Sequence, residues 1–397
     1  MEQDESISMA RDIMTDFAGL TGLSPDDKVP PKRYLWTDAF AVCNFLGLYL
    51  RTGDEKYKDL AKLLVDQVHC VLGRHRDDDP RTGWISGLGE DEGRKHPAVG
   101  GLRIGKDMSE RRPDEPLDEQ LEWDRDGQYY HYLTKWMHAL NRLTRSTGDT
   151  TYNTWAMELA KTAHDRFTYA PGSGGQKRMY WKMSIDLSYP LVTSMGHHDP
   201  LDGFITYRQL QATAEKVPEK SEGPDLKAEI AEMTDICEGK SWATDDPLGI
   251  GGLLGDAFRL AQLIVHENME QTDLLETLLD ASLLGLESHS GQDVLRLPAD
   301  YRLAFRELGL SIGLKAVGKL QVMVEENPGR FLEKRSLDMQ IDRLMQYLPL
   351  GEMIEKFWLE EANMEGDTWS AHRDINMVML ATCLAHDGYL LLSSIER

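Results

Sequence analysis

One six-residue phrase, Thr-Gly-Asp-x-x-Tyr, occurs twice in this chain, at Thr52–Tyr57 and at Thr147–Tyr152. Each copy joins one apolar segment of helical periodicity to a second such segment. The glycine can end a helix in the left-handed conformation, which residues with a Cβ atom avoid. The aspartate can then cap the next helix by accepting a hydrogen bond from a free backbone N–H. The repeat therefore predicts helical hairpins, and it restricts the fold to an array of them.

The rest of the chain shows the same alternation without the phrase. Segments that are apolar nearly all round are predicted as inner helices, and they are Leu35–Leu50, Tyr129–Thr144, Leu201–Ala214, Leu248–Val265, Asp300–Gly318 and His372–Leu384. Charged amphipathic segments are predicted as outer helices, and they are Ser6–Leu20, Lys56–Gly73, Thr151–Phe167, Asp225–Cys237, Asp273–Leu286 and a split region at Phe331–Leu359. Six inner and six outer helices predict an all-α (α/α)6 toroid, with an open α-solenoid as the structural alternative. We expect a single domain covering residues 1–397.

Two stretches interrupt this helical pattern, at residues 74–122 and 170–196. The first is rich in Gly, Pro, Asp and Arg, and the second contains a Gly-rich turn followed by Tyr180 and Trp181. Such residues form turns and caps, and long irregular segments inside a compact domain are usually functional. We expect both inserts to lie over one rim of the toroid.

Composition excludes several classes of partner. The chain has 44 Lys and Arg residues against 67 Asp and Glu residues, a net charge of −23. This balance argues against nucleic acid, whose phosphates require a basic surface, and against anionic membranes.

Met1–Glu5 is acidic, unlike a secretory signal, and the sequence shows no apolar run approaching about 18 residues. The four cysteines are scattered (Cys43, Cys70, Cys237 and Cys383), so we expect reduced thiols and a cytoplasmic protein. The oligomeric state is left open.

Three parts of the chain carry a resemblance to a known superfamily. They are the segment Tyr34–Phe40, the two Thr-Gly-Asp-x-x-Tyr joints, and the segment Trp123–His131. With these, the chain resembles the six-hairpin glycosidase superfamily, which includes related sugar epimerases and isomerases. The resemblance covers nearly the whole chain through the helix count. It implies a carbohydrate-active enzyme with a small carbohydrate substrate.

Polar and aromatic residues collect at the starts of the predicted inner helices. Inner helices that run parallel in a toroid bring these starts to one rim, where they would form a pocket. An Asp before a helix is usually an N-cap, and this interpretation applies to Asp199, Asp245, Asp246, Asp300 and Asp374. Tryptophan and tyrosine beside carboxylates, however, suit sugar rings. The predicted substrate-binding residues are Trp36, Asp124, Tyr130, His131, His197, Trp242, Asp246, Tyr301 and Arg373.

Two catalytic hypotheses follow from these residues. Glycoside hydrolysis needs two carboxyl groups, for which we predict Asp126 with Asp245 or Asp38 as its partner. A sugar 2-epimerase or ketose–aldose isomerase would instead move a proton with a histidine pair, predicted as His198 and His372. The hydrolase is the leading hypothesis, acting on a small oligosaccharide. A helical protein that binds a partner without catalysis is the third possibility.

No cofactor is predicted. His197-His198-Asp199 is not followed by a histidine or cysteine at helical i+4 spacing, so we expect no metal site. The glycines of Gly249–Gly252 lack the Gly-Lys-Ser/Thr of a phosphate loop, and small residues there favour close helix packing instead. In the first insert, Arg103 and Lys106 are candidates for holding an acidic sugar substituent, with a solvated turn as the alternative.

Overall fold

The computed structural model describes residues 2–23, 29–172, 174–216, 223–331 and 334–392. These residues form two compact units. The first unit is Ala18–Gly239, and the second unit is Lys240–Arg397 together with Met1–Phe17. The single domain over residues 1–397 stays a prediction.

The first unit consists of helical hairpins and short strands, preceded by α1 at Glu2–Leu20. Its helices are α2 (Leu35–Thr52), α3 (Glu55–Leu72), α4 (Glu90–Lys95), α5 (Glu119–Asp124), α6 (Tyr130–Thr147), α7 (Thr151–Phe167), α8 (Asp199–Glu215) and α9 (Lys227–Cys237). The strands are β1 (Gln128–Tyr129), β2 (Thr168–Tyr169), β3 (Arg178–Met179), β4 (Lys182–Met183) and β5 (Pro190–Val192).

Helices α2, α6 and α8 are the inner helices of this unit. Each packs against the helix that follows it, α3, α7 and α9 respectively, and α6 also packs against α2 and α8. Nearly every residue of α2 up to Leu48 is buried, whereas α3 buries one stripe that includes Tyr57, Leu64 and Leu72. The inner–outer alternation predicted for these hairpins is therefore confirmed.

Both Thr-Gly-Asp-x-x-Tyr joints have the predicted geometry. Gly53 has φ of 72° and Gly148 has φ of 78°, so each ends its helix in the left-handed conformation. Asp54 caps α3 by accepting from the Lys56 N–H at 3.1 Å. Asp149 accepts from the Thr151 N–H at 3.0 Å. Asp54 is therefore the N-cap of α3, as the sequence indicates, whereas Asp149 lies one residue before Thr150, the N-cap of α7. Both aspartates have structural roles.

The second unit repeats the pattern with longer and more broken helices. They are α10 (Pro247–Glu267), α11 (Thr272–Ser290), α12 (Ala304–Glu326), α13 (Lys334–Met345), α14 (Leu348–Leu359), α15 (Glu361–Met364), α16 (Asp367–Ala371), α17 (Arg373–Leu384) and α18 (Asp387–Leu390). Helices α10 and α12 pack most extensively. They approach backbone to backbone, because a Cβ atom at Gly251 would collide with Gly309, and one at Gly313 would collide with Gly251. The predicted close packing by small residues is thus confirmed.

Helix α10 is long and apolar enough, by length and composition, to cross a bilayer, which differs from the expectation that no apolar segment reaches that length. In the structure, 83% of this segment is buried inside the protein. It also carries the buried ion pair between Asp256 and Arg259. Such burial is typical of a core helix.

The structure differs from the predicted helical pattern at two places. The fifth inner helix was expected to start at Asp300, but Asp300 and Tyr301 lie in a separate 3-10 turn, Ala299–Tyr301, and α12 begins at Ala304. The second insert forms strands. Antiparallel pairing in the order β1-β4-β5 places Tyr129 opposite Lys182, and β2 pairs with β3. Pairing with β1 brings the second insert to the start of α6.

Candidate active site

The first unit holds a carboxyl group and an imidazole that face each other at the starts of two inner helices. Asp199 is the first residue of α8, and His131 is the second residue of α6. Oδ1 of Asp199 lies 3.7 Å from Nδ1 of His131, beyond hydrogen-bond distance. The other oxygen of Asp199 and the same ring nitrogen of His131 are buried and have no partner among the residues that the structure describes. Unsatisfied buried polar atoms are rare, and a ligand is one common explanation for them.

The surroundings of Asp199 keep its carboxyl group protonated. Burial, with the neighbouring charge of Asp202 as the second cause, raises the pKa of Asp199 to about 8. Asp202 lies one helical turn further along α8, where it accepts hydrogen bonds from Thr134 and from the Lys135 ammonium at 2.9 Å. The two carboxyl groups therefore have different environments, one paired with a cation and one without.

The imidazole of His131 is neutral at the same pH. Burial lowers the pKa of His131 to about 4, and the Lys135 charge acts in the same direction. Near neutral pH, the pair thus consists of a protonated carboxyl group and a neutral imidazole. The first can donate a proton, and the second has a nitrogen lone pair that can accept one.

Aromatic rings surround this pair. His131 stacks on Trp181 at 18° with ring centroids 6.4 Å apart, and it contacts Tyr132 at 4.9 Å. Trp36 lies 6.0 Å from His131 and is 7% exposed, yet its indole Nε1 has no partner within the described part of the chain. Tyr129 completes the group at 5.3 Å from His131. Rings of this kind, with a few polar atoms directed between them, suit a ligand with apolar faces and hydroxyl edges.

The backbone next to Asp199 fixes the position of its carboxyl group. Gly196 packs so closely that a Cβ atom there would overlap all three atoms of the Asp199 carboxyl. On the other side, the β1–β4 pairing places Trp181 directly before β4, with the Trp181 carbonyl 3.5 Å from the Tyr130 N–H. The second insert therefore contributes one wall of the site.

The predicted catalytic acid, Asp126, is fully buried and accepts hydrogen bonds at both oxygens. One oxygen accepts from the N–H groups of Gly105 and Gly127, each at 3.0 Å. The other lies 2.9 Å from the Arg103 guanidinium and 3.4 Å from that of Arg76. A carboxylate with this many donors and no exposed atom has no route to substrate, so the geometry favours a structural role. It also occupies Arg103, which was a candidate for binding an acidic sugar.

Asp38, the predicted partner carboxyl of the first unit, is engaged in the same way. It is 1% exposed, accepts from the Tyr34 N–H at 2.9 Å and pairs with the Arg33 guanidinium at 3.3 Å. These contacts hold the loop before α2 against the first turn of that helix. They also favour a structural role.

The other candidates of the first unit divide between core and surface. Tyr130 is fully buried, and its hydroxyl donates to that of Tyr207 at 2.8 Å, which makes it a core residue and not a substrate contact. Asp124 is exposed at the end of α5. His197 is exposed and His198 is half-buried, with ring centroids 4.6 Å apart, and His198 immediately precedes Asp199.

The candidates of the second unit are mostly at helix starts, as predicted. Asp246 caps α10 by accepting from the Gly249 N–H at 3.1 Å, and the exposed Asp245 accepts from Gln292 at 3.1 Å. Trp242 is buried, and Tyr301 is 76% exposed. His372 and Arg373 are exposed at the start of α17. Their catalytic and substrate-binding roles stay predictions.

Comparisons with known proteins address the fold of the whole chain. No protein-family model and no curated protein sequence matches it. Among solved structures, it is similar to an α-1,6-mannanase from Salegentibacter sp. HEL1_6, with a TM-score of 0.52 and 12% identity over 96% of this chain and 99% of that one. A weaker likeness, at a TM-score of 0.47 and 14% identity over 95% and 98% of the two chains, is to a cellobiose 2-epimerase from Spirochaeta thermophila DSM 6192.

The chain has the fold of the six-hairpin glycosidase superfamily. The likeness to the mannanase covers almost the full length of both proteins. The prediction of an all-α (α/α)6 toroid is thereby confirmed. At such low identity the likeness establishes the six-hairpin fold and leaves the reaction to be argued from the site.

On this six-hairpin fold, the sequence-based reasoning missed two residues of the site. Asp199 was interpreted as an N-cap, yet its carboxyl group accepts no backbone N–H hydrogen bond among the described residues. A usable signal was present, because Asp199 and Asp202 are three apart and therefore share one helix face. Trp181 was noted only as an anchor of the second insert. Across the residues described, the structure shows no group of three or more His, Cys, Asp or Glu side chains placed to hold a metal ion.

Proposed function

We propose that this protein is a carbohydrate-active enzyme, a glycoside hydrolase that acts on a small oligosaccharide, with Asp199 as its general acid. The supporting observation is the Asp199–His131 pair, which has unpartnered polar atoms and is enclosed by aromatic rings. A glycosidase acid must be protonated near neutral pH, and a pKa of about 8 for Asp199 meets this requirement.

In this reaction Asp199 donates its proton to the glycosidic oxygen as the bond to the anomeric carbon breaks. Trp36 and Trp181 contact the apolar faces of the sugar, and the indole N–H of Trp36 donates to a hydroxyl group. The reaction also needs a second carboxyl group, which activates water or attacks the anomeric carbon. The sequence-based hypothesis named Asp245 or Asp38 for this role as the partner of Asp126.

A sugar epimerase or isomerase is the second candidate, favoured by one specific observation. The neutral His131 lies beside a protonated Asp199, and an imidazole with a free lone pair can remove the proton next to a sugar carbonyl. In this case His131 takes the place of the predicted His198 and His372 pair. Asp199 then protonates the carbonyl oxygen of the substrate.

One assay separates the two reactions. Purified protein is incubated in D2O with nitrophenyl glycosides and, separately, with free mannose, glucose and cellobiose. Release of nitrophenol supports the hydrolase, and solvent deuterium at the sugar C2 supports the epimerase. Neither product from any substrate would reject both proposals and leave the non-catalytic hypothesis.

Variants then test the site. Asp199→Asn should abolish either activity, whereas Asp165→Asn, an exposed aspartate on α7, should retain it. Thermal unfolding of each variant shows whether it is folded. A folded Asp199→Asn protein with full activity would contradict the assignment.

A further inference from the structure

Trp123 is an exposed tryptophan beside the candidate active site. Its side chain belongs to α5, the short helix at the end of the first insert, and is 52% exposed. Exposing such a large apolar ring to water is unfavourable, and tryptophan is enriched where proteins bind ligands and partners. At this position the ring is accessible to a ligand.

The helix that carries Trp123 is held rigidly. Its neighbour Glu122 is 3% exposed and pairs with the Arg111 guanidinium at 3.0 Å and the Lys182 ammonium at 2.9 Å. Lys182 also donates to the backbone carbonyls of Glu122, at 2.7 Å, and Arg125, at 2.8 Å. Asp118 caps the start of α5. A surface ring that is fixed before its ligand arrives loses little conformational entropy on binding.

The Trp123 ring continues the aromatic wall of the site. It makes an edge-to-face contact with Trp181, with centroids 5.0 Å apart and an angle of 79°. Trp181 in turn stacks on His131, which faces Asp199. A series of rings thus runs from the buried Asp199 and the half-buried His131 out to solvent at Trp123.

We propose that Trp123 and Trp181 form a second sugar-binding subsite, which holds a sugar unit of an oligosaccharide adjacent to the unit that reacts. This inference rests on the proposed function, since it takes the Asp199–His131 pair as the reacting centre. The two rings meet edge to face, so they offer a corner that contacts one sugar ring on two sides. The substrate is then an oligosaccharide bound across at least two units, and a free monosaccharide uses only part of the site.

The test measures how binding and turnover depend on substrate length. Manno- and cello-oligosaccharides of one to four units are titrated into the full-length protein by calorimetry, and kcat/KM is measured for nitrophenyl glycosides of one to three units. In Trp123→Ala, the increase in affinity and in kcat/KM that added sugar units give should be about tenfold smaller than in wild type. The shortest substrate should be little affected. Leu117→Ala is the matched control, because Leu117 lies just before α5 and is also 52% exposed.

The outcomes distinguish this inference from the proposed function. If affinity and kcat/KM increase equally with oligosaccharide length in Trp123→Ala and in wild type, the subsite is overturned, even if the enzyme is fully active. An absence of any length dependence in wild-type binding would also overturn it. Length-dependent binding that is lost in Trp123→Ala but is accompanied by no turnover would support the subsite while rejecting the proposed reaction.

Discussion

Lys135 forms its ion pair with Asp202, at 2.9 Å, and not with Asp199, which lies one helical turn earlier on the same helix. Burial raises the pKa of Asp199, the neighbouring Asp202 charge raises it further, and the Lys135 charge lowers it. The sequence places two aspartates three residues apart, but only the tertiary structure shows that Asp202 is paired with a cation and that Asp199 is not. Such a division of two carboxyl groups is a recurring arrangement in acid–base catalysis.

The charge of Asp202 can be removed to test this relationship. The Asp202→Asn change removes a negative charge that raises the pKa of Asp199. The Lys135 charge, which lowers this pKa, then acts without that opposing effect. The pKa of Asp199 should therefore fall. The alkaline limb of the kcat/KM profile, expected near pH 8 in wild type, should move to lower pH. An unchanged limb, or one displaced to higher pH, would contradict the arrangement, and Asp165→Asn should leave the limb in place.

Stability should depend on pH through the same carboxyl group. Because the folded pKa of Asp199 is raised to about 8, the native state holds a proton that the unfolded chain lacks, and stability falls as pH rises toward that value. His131, with a folded pKa of about 4, acts in the opposite direction below pH 6.5. Between pH 6.5 and 8, the titration of Asp199 should therefore lower the free energy of unfolding by up to about 1.5 kcal/mol.

Urea unfolding at several pH values measures this effect as the difference between Asp199→Asn and wild type. The variant should lack the loss of stability between pH 6.5 and 8. Parallel pH profiles for the two proteins would show that Asp199 titrates at an ordinary pKa when folded.

Gly196 should control activity through the position of Asp199. A methyl group at residue 196 would overlap the Asp199 carboxyl, which can rotate away because it is the end of a side chain. Gly196→Ala should therefore lower kcat by about 10- to 100-fold, since small misplacements of a catalytic group are costly. The cost in stability should stay within about 1 kcal/mol.

Gly172→Ala is the control for this variant, because a Cβ atom there meets nothing within 4 Å. It should keep wild-type activity. If Gly196→Ala also keeps wild-type kcat, the Asp199 position does not limit the reaction.

Substitution of the glycines in the two Thr-Gly-Asp-x-x-Tyr joints should change stability alone. Gly53 and Gly148 both have positive φ, and a methyl group at either position would meet no other atom within 4 Å. Each change to alanine should therefore lower the free energy of unfolding by about 1–2 kcal/mol, because alanine disfavours this backbone conformation. Steric overlap should contribute nothing. Gly252→Ala, inside α10 and in open space, should instead be neutral or stabilising by up to about 1 kcal/mol. Chemical denaturation measures all three, and a neutral Gly53→Ala would show that the joint tolerates a side chain.

The sequence predicted the hairpins well because their signals are local. A glycine that ends a helix and an aspartate that caps the next one act over six residues, so Gly53 and Asp54 are visible without any tertiary structure. Apolar periodicity likewise marks α2, α6 and α10 directly. The start of α12 was misplaced because Asp300 resembles a cap, while the chain forms a 3-10 turn there first.

The site was harder to predict because it depends on distant contacts. Asp126 was predicted as a catalytic carboxyl group, yet it is fully buried and paired with Arg103 and Arg76 from the first insert. Asp199 looked like a cap, and only the approach of His131 and Lys135 from another helix reveals its chemistry. His131 was predicted as a site residue from its position at a helix start; the structure has it as the second residue of α6, and its role in a site stays a prediction.

The β1–β4 pairing joins residues more than fifty positions apart, with Gln128 opposite Met183. Contacts over such separations form later in folding than those within one hairpin, because a long loop must close first. During synthesis, the α2–α3 and α6–α7 hairpins both emerge before the Trp181 segment does. The binding wall then assembles after these two hairpins, so ligand affinity reports on folding beyond them, which their helix content does not.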